Sequence, residues 1–326
     1  MIAMQSLGPA IREGLQKGLR GTLWMLKILV PCSLLTFLID VSGLLNHLDF
    51  MLAPAMGFLD LPPEAALPLT VGLLAGIYGA VAALAVLDFS MTETILIAVF
   101  LLISHNIIQE GIVQARSGLN FFKATIVRLA ASVVTVLCLA RVLPSGVGTD
   151  AVMAVVSPGV TSFSVRLQGW LGDTGLLCLK IFVILTAMMV LMELMRAARI
   201  IPVLARLLRP LLWLMGLSHR VGILWLTAAV FGLTYGAALI VEEARAGSFE
   251  RGDIERLQLS IGINHALIED GAVFMALGIP AIWLWGPRLV AALVAVHCYR
   301  LWTAWQRHRR GGVPVEPAVK PVGRSG

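Results

Sequence analysis

The sequence predicts an all-α polytopic membrane protein made of two inverted repeats. Three observations carry that prediction: the composition, the length of the apolar runs, and a duplication that keeps step along the chain. Apolar residues make up 58% of the 326 residues and charged residues 13%, with a mean hydropathy of +0.89. An average soluble domain is roughly 45–50% apolar and about 25% charged, so this chain lacks the polar groups to cover a water-facing surface. That excludes a soluble enzyme and a disordered or fibrous chain. The apolar runs are long and continuous, unlike the short alternating strands of a β-barrel. The net charge of +6 therefore does not point to nucleic acid; its meaning lies in where the positive residues sit.

Taken in order, residues 1–21 place Met4, Leu7, Ile11, Leu15 and Leu19 on one helical face, with Arg12, Glu13, Gln16, Lys17 and Arg20 elsewhere. This is the pattern of an amphipathic helix lying on the membrane surface, not of a cleaved signal. A crossing needs about 20 apolar residues, and the runs 22–39, 65–87, 121–143, 175–195, 221–241 and 281–303 qualify. Two further stretches, 94–110 and 257–277, contain Ser104-His105-Asn106-Ile107-Ile108-Gln109-Glu110-Gly111 and Asn264-His265-Ala266-Leu267-Ile268-Glu269-Asp270-Gly271. That polarity predicts re-entrant or broken segments, which are tolerated at membrane depth only where protein or a wet cavity satisfies the backbone. Residues 304–326 read as a basic, disordered tail. Cys32, Cys138, Cys178 and Cys298 all lie in apolar runs without a CxxC pair, and read as buried small hydrophobes.

Charge placement orients the spans. Arg12, Lys17 and Arg20 precede the first; Arg196, Arg199, Arg206, Arg209 and Arg220 lie between 196 and 220 without an acid; Arg307, Arg309 and Arg310 follow the last. These regions are expected in the cytoplasm, with both termini. The loop 41–64 carries Asp49, Asp60 and Glu64 and no Lys or Arg, and 144–174 has Arg166 as its only Lys or Arg, so both are expected outside. The pattern holds with six crossings if 94–110 and 257–277 are re-entrant.

The two halves match. Lys27 and Asp40 correspond to Lys180 and Glu193 at an offset of 153, Tyr78-Gly79-Ala80 to Tyr235-Gly236-Ala237 at 157, and the 36 positions from Ile103 to Cys138 to a second copy at 160, with twelve identities that include His105, Gly111, Gly118 and Arg128. The halves, 22–143 and 175–303 around an extracytoplasmic linker 144–174, start on opposite sides of the membrane. Such inverted repeats meet near the bilayer midplane in many transporters.

The candidate chemistry sits in the paired polar segments. At helical spacing His265 shares a face with Glu269 and His105 with Gln109; Glu110 and Asp270 lie one residue further round. Across the pseudo-two-fold axis, His105, Asn106, Gln109, Glu110, Asn264, His265, Glu269 and Asp270 would line one polar site, where ionisable groups inside a membrane usually face a pathway. A transition metal on His105, His265, Glu269 or Asp270, a proton relay, and a polar organic solute all suit that set; helix–helix glue is the structural alternative. Gly76-Ile77-Tyr78-Gly79 and Gly232-Leu233-Thr234-Tyr235-Gly236 read either as small-residue packing or as broken helix, with Tyr78 and Tyr235 offering hydroxyls. Glu242-Glu243 reads as a vestibule or a solvated helix end. Lys27, Asp40, Lys180 and Glu193 are expected to snorkel to the interfaces, and Arg128 and Arg288 to balance the acidic clusters or anchor at headgroups. No GxxxxGK[ST], GxSxG or HExxH motif occurs, so no nucleotide-driven engine or enzyme is predicted and no cofactor is called for.

The order of apolar span, Tyr-Gly-Ala, charged turn and Asn-His-Ala-Leu-Ile-Glu-Asp-Gly resembles the nucleoside recognition, or Gate, domain family, over roughly 20–140 and 175–302. Related segments occur in spore maturation A and B proteins, concentrative nucleoside transporters and the membrane part of ferrous-iron transporters. The resemblance implies a transport-like fold of inverted Gate repeats in a bacterial inner (cytoplasmic) membrane. It does not imply nucleosides: the further core helices of the nucleoside transporters and the GTPase domain of the iron transporters are absent from this chain. The expectation is a permease-like protein that moves a small polar solute or ion, nucleoside-like or divalent metal, in contact with membrane lipid. A homodimer is compatible with it, and nucleic acid is not a partner. The alternative is a non-transporting membrane scaffold of spore-maturation type.

Overall fold

The structure is a computed structural model and describes residues 7–143, 162–198, 200–217, 219–232, 240 and 251–309. Every regular element among these residues is a helix.

Helix α1, Leu7–Val41, has 35 residues and is about 52 Å long at 1.5 Å per residue. The amphipathic stretch expected to lie on the surface is thus not a separate helix: from Leu7 it runs unbroken into the first apolar span. Helix α8, Phe163–Ala197, is equally long and packs antiparallel on α1. Gly14 meets Val190 and Gly18 meets Thr186 at one end, Ser33 meets Thr174 further along, and Asp40 meets Arg166 at the other. A Cβ on Gly14 would lie 2.5 Å from the Val190 Cα, and one on Gly18 2.6 Å from the Thr186 Cα. The glycines, four residues apart, let the backbones touch, as small residues do at membrane helix crossings. At the two ends, Lys17 Nζ lies 2.7 Å from Glu193 Oε1 and Arg166 bonds Asp40. Asp40 and Glu193 therefore pair across the helices instead of snorkelling; Lys27 and Lys180 are exposed.

Helix α2, Leu44–Gly57, and a short 3₁₀ turn, Pro63–Ala65, lead to α3, Ala66–Ala75, and α4, Ile77–Leu84. Between α3 and α4, Gly76 takes φ 91°, ψ −179°, a region open essentially only to glycine. A Cβ on Gly72 would lie 3.0 Å from the Ala80 Cβ, and one on Gly79 2.7 Å from Val71 Cγ1. Residues eight apart in a straight helix are separated by about 12 Å, so the chain turns back at Gly76. The run 65–87 is therefore a helical hairpin and not the straight crossing expected of it.

The reverse correction applies to 94–110. Helix α5, Met91–Ser104, starts at a capping box in which Ser90 accepts from the Glu93 amide and Glu93 from the Ser90 amide, satisfying two otherwise orphan donors. It is followed by α6, Ile107–Arg116, and α7, Phe121–Val142. Arg128 of α7 reaches the carbonyls of Ile103 and His105, whereas Phe121 and Thr125 lie against Gly111. As one helix descends the other ascends, so α5 and α6 form one interrupted helix running antiparallel to α7, with no re-entrant turn. Residues Thr94 to Ser104 are all buried; a helix apolar on every side belongs in the middle of a bundle.

In the second half, α9 (Ile200–Leu207) and α10 (Arg209–Leu214) occupy the arginine-rich stretch, and α11 is His219–Phe231. Helices α12 (Arg251–Asn264), α13 (Leu267–Met275) and α14 (Ala281–Arg309) repeat the plan of α5–α7. Tyr299 of α14 bonds Glu255, Arg288 bonds Ile263 and His265, and Trp285 bonds Leu267. The stretch 257–277 is again an interrupted helix, not a re-entrant one. Helix α8 begins at Phe163, inside the expected linker, and α14 continues to Arg309, inside the expected tail. Cys138 and Cys298 are exposed on the outside of the bundle, and Cys32 and Cys178 are half-buried, so the four are not uniformly core residues.

Candidate functional site

The site is built from two helix interruptions related by the 160-residue offset. At the first, His105 (φ −61°, ψ 163°) leaves the helix and Asn106 (φ 47°, ψ 39°) is left-handed. At the second, Ala266 adopts φ 44°, ψ 38° after His265. An interrupted helix loses the amide partners of its last carbonyls. At both breaks an arginine supplies them. Arg128 donates to Ile103 O (2.9 Å) and His105 O (2.8 Å); Arg288 donates to Ile263 O (3.0 Å) and His265 O (2.7 Å). The planar guanidinium carries several donors in a fixed fork, so one side chain closes both carbonyls. These arginines are 2% and 0% exposed, which rules out headgroup anchors. The left-handed residues are held likewise: Asn106 N–H donates to Gly72 O (3.1 Å) and Ala266 N–H to Ala228 O (3.2 Å).

After each break a new helix begins, and the acids sit in its first turn: Glu110 in α6, Glu269 and Asp270 in α13. Negative charge is favoured there by the helix dipole. The two breaks face one another, with the His105 and His265 rings 5.1 Å apart, centroid to centroid. Glu110 lies between them: its Oε1 is 3.0 Å from His105 Nε2 and 3.1 Å from His265 Nε2, and its Oε2 is 2.7 Å from Arg128. Asp270 Oδ2 is 3.5 Å from His105 Nε2. Tyr78, at the start of α4, donates to Glu269 Oε1 at 3.2 Å and meets Trp24 of α1 edge-on. Together with the Gly76 turn, Asn106 and Gln109, these groups line a cavity of about 240 Å³.

The structure therefore brings together His105, Asn106, Gln109, Glu110, His265, Glu269, Asp270 and Tyr78 around one cavity. Asn264 is not among them: it is fully buried, does not line the cavity, and among the described residues neither its amide oxygen nor its nitrogen has a hydrogen-bond partner. Tyr235 and Glu242-Glu243 lie outside the described residues. The expected pairing of His265 with Glu269 at helical spacing fails because the break falls between them and resets the face. His265 meets Glu110 of the other half instead, and Glu269 meets Tyr78.

Two features were missed. Trp24 lines the cavity but reads in the sequence as one more span residue. Gln114 donates to Gln258 O (2.8 Å) and Gln258 donates to Ser117 Oγ (2.7 Å), tying α6 to α12. At the 160 offset Gln114 corresponds to Phe274 and Ala98 to Gln258, so a search for matched pairs passes over them. Their polarity inside apolar runs was the available signal.

No family model and no solved structure matches the chain. It is 27% identical over 299 residues to a protein of Bacillus subtilis (strain 168) named as the uncharacterized membrane protein YvoD, a match covering 90% of this chain and 95% of that one. Among the described residues, five helices are long and apolar enough to cross a membrane. The chain is an all-α membrane protein.

Proposed function

We propose that this chain is a transporter-like protein of the bacterial inner membrane, of inverted-repeat Gate type, that carries a small polar solute or cation through the cavity between its two helix breaks. The observation that carries the reading is the meeting of buried His105 and Glu110 from one half with buried His265 and Asp270 from the other at one cavity. Buried ionisable groups in a membrane are costly and mark pathways. The antiparallel packing of α1 on α8, the first helices of the two repeats, supports a pseudo-two-fold axis in the membrane plane. Interrupted helices at that axis are a recurring way to build a transport site. At about 240 Å³ the cavity is smaller than the roughly 300–1,000 Å³ of sites for drug-sized ligands, which favours a small cargo. With no nucleotide-binding motif, an ion gradient or the cargo's own gradient drives movement. The reading assigns no catalytic role and leaves both termini in the cytoplasm.

The scaffold reading draws on the Gln114–Gln258–Ser117 links and the two arginine caps, which join helices and have no free face in the cavity. Flux into proteoliposomes separates the two. Cargo uptake that is abolished in Asp270→Asn, in protein with an unchanged thermal midpoint, supports transport. Uptake identical in wild type and Asp270→Asn removes the site from the pathway.

A further inference from the structure

The hydrogen-bond donors around the two histidines do not balance their acceptors. His105 Nδ1 lies 2.9 Å from Leu101 O and His265 Nδ1 3.0 Å from Ile261 O. A carbonyl oxygen has no hydrogen to give, so each Nδ1 carries the hydrogen and each neutral ring presents a bare Nε2. Both Nε2 atoms point at carboxylate oxygens: Glu110 Oε1 at 3.0 and 3.1 Å, and Asp270 Oδ2 at 3.5 Å from His105. Carboxylates also only accept. Acceptors thus face acceptors at one buried point, where either a proton on an Nε2 or a cation between the groups satisfies them. Arg128 engages the other oxygen of Glu110 and does not fill that point, and Asp270 Oδ2 has no hydrogen-bond partner among the described residues.

We infer that this point is a binding site for a divalent first-row transition-metal ion, held by His105 Nε2, His265 Nε2, Glu110 and Asp270. The inference rests on the transport reading only in making the ion the cargo; the site itself is argued from its geometry. A tetrahedral ion with nitrogen and oxygen ligands at about 2.0–2.2 Å has ligand–ligand edges of about 3.3–3.5 Å. The donor pairs stand 3.0, 3.1 and 3.5 Å apart, and the ligand atoms of His105, His265 and Asp270 all fall within 4.8 Å of one another, so little movement closes the shell. The Nδ1–H to carbonyl bonds are the outer-shell contacts that fix ring and tautomer in metal sites. Two imidazoles with two carboxylates and no sulfur select manganese, iron, cobalt, nickel or zinc over Mg²⁺, Ca²⁺ or Cu⁺. Glu269, one of the four metal-ligand candidates in the sequence, accepts from Tyr78 and is replaced by Glu110 in the donor set. The remaining charges around the point are Arg128, Arg288 and Glu269. With both rings neutral and Glu110, Glu269 and Asp270 all ionised, three acids against two arginines leave one net negative charge, and a bound cation favours that ionised state.

The test uses the purified, untagged full-length protein in detergent, freed of metal, titrated at pH 8 with Zn²⁺ by calorimetry and with Co²⁺ by visible absorption. The expected result is one ion per chain, an intense Co²⁺ band of low coordination number, a raised thermal midpoint, and no response to Mg²⁺. His265→Ala and the near-isosteric Asp270→Asn should each weaken binding at least about 100-fold, since loss of an outer-shell partner alone costs about 10–100-fold. Cys138→Ser should bind as wild type. Absence of Zn²⁺ and Co²⁺ binding by protein with a cooperative melt overturns the inference, as does binding retained in both His265→Ala and Asp270→Asn. The transport reading is scored separately in proteoliposomes. An ion that binds but does not cross refutes transport of that ion and leaves the site standing; a protein that binds neither Zn²⁺ nor Co²⁺ yet moves another solute refutes the site and leaves transport standing.

Discussion

Arg128 and Arg288 offer an internally controlled measurement of what holds the site together. Each closes two orphan carbonyls at a helix break, with distances that agree within 0.1 Å between the copies. They differ in one respect: Arg128 also lies 2.7 Å from Glu110 Oε2, while Arg288 has no carboxylate within 4.0 Å among the described residues. Methionine keeps much of the arginine stem's volume and removes the donors. Hydrogen bonds from a charged donor contribute about 1.5–3 kcal/mol each, so with partial relaxation Arg288→Met should cost about 3 kcal/mol. Arg128→Met loses the same two bonds and strands a buried carboxylate. Charges about 4 Å apart at an effective dielectric of about 20 attract by about 4 kcal/mol, and removing one partner of a buried pair typically costs about 3–5 kcal/mol. Arg128→Met should therefore cost about 5 kcal/mol. Adding Glu110→Gln removes the stranded charge, so the double-mutant cycle should show a coupling of about 2–3 kcal/mol, within the range for neighbouring groups. Equilibrium unfolding in mixed micelles reads all five proteins: wild type, Arg288→Met, Arg128→Met, Glu110→Gln and the double variant. Equal losses for the two arginines, with a coupling below about 0.5 kcal/mol, would refute the claim that Arg128 holds Glu110 as well as the backbone.

Three further outcomes follow from backbone geometry. Gly18→Val forces α1 away from the Thr186 backbone, 2.6 Å from the new Cβ, and should lower stability by about 1–3 kcal/mol as overpacking does, whereas Gly21→Ala, with nothing within 4 Å, should be tolerated; thermal midpoints compare them. Gly76→Ala meets both a glycine-only dihedral and the Asn106 side chain 2.7 Å away; it should cost about 1–3 kcal/mol from the dihedral alone, and Asn106→Gly should restore only the part due to the clash. Ala266→Gly relieves a left-handed alanine (φ 44°), a conformation costing roughly 1–2 kcal/mol. It should stabilise by about 1 kcal/mol, more than Asn106→Gly, because asparagine tolerates that region better.

Much of the site was legible because duplication writes the same device twice. The offset of 160 picked out His105 with His265 and Arg128 with Arg288 before any coordinates, and the structure gives each pair the same hydrogen bonds. Composition and run length determined that the chain is helical and lies in a membrane, since neither depends on how the helices pack. What escaped was of another kind. Hydropathy could not tell the hairpin at Gly76 from the interrupted crossing at His105, because an apolar run reads alike whether it crosses or turns back. The deciding quantity is a dihedral angle at one glycine, and glycine permits either course. Helical spacing assigned Glu269 to His265, but a single left-handed residue between them rotates the second helix to a new face. Glu110 and His265 are 155 residues apart, and no local periodicity reports such a pair. Local chemistry thus determined which residues carry charge into the membrane; only the packing of one half against the other decided which of them meet. A contact between distant segments depends on the direction in which each helix leaves its break, and that direction is set by packing and hydrogen bonds from elsewhere in the chain.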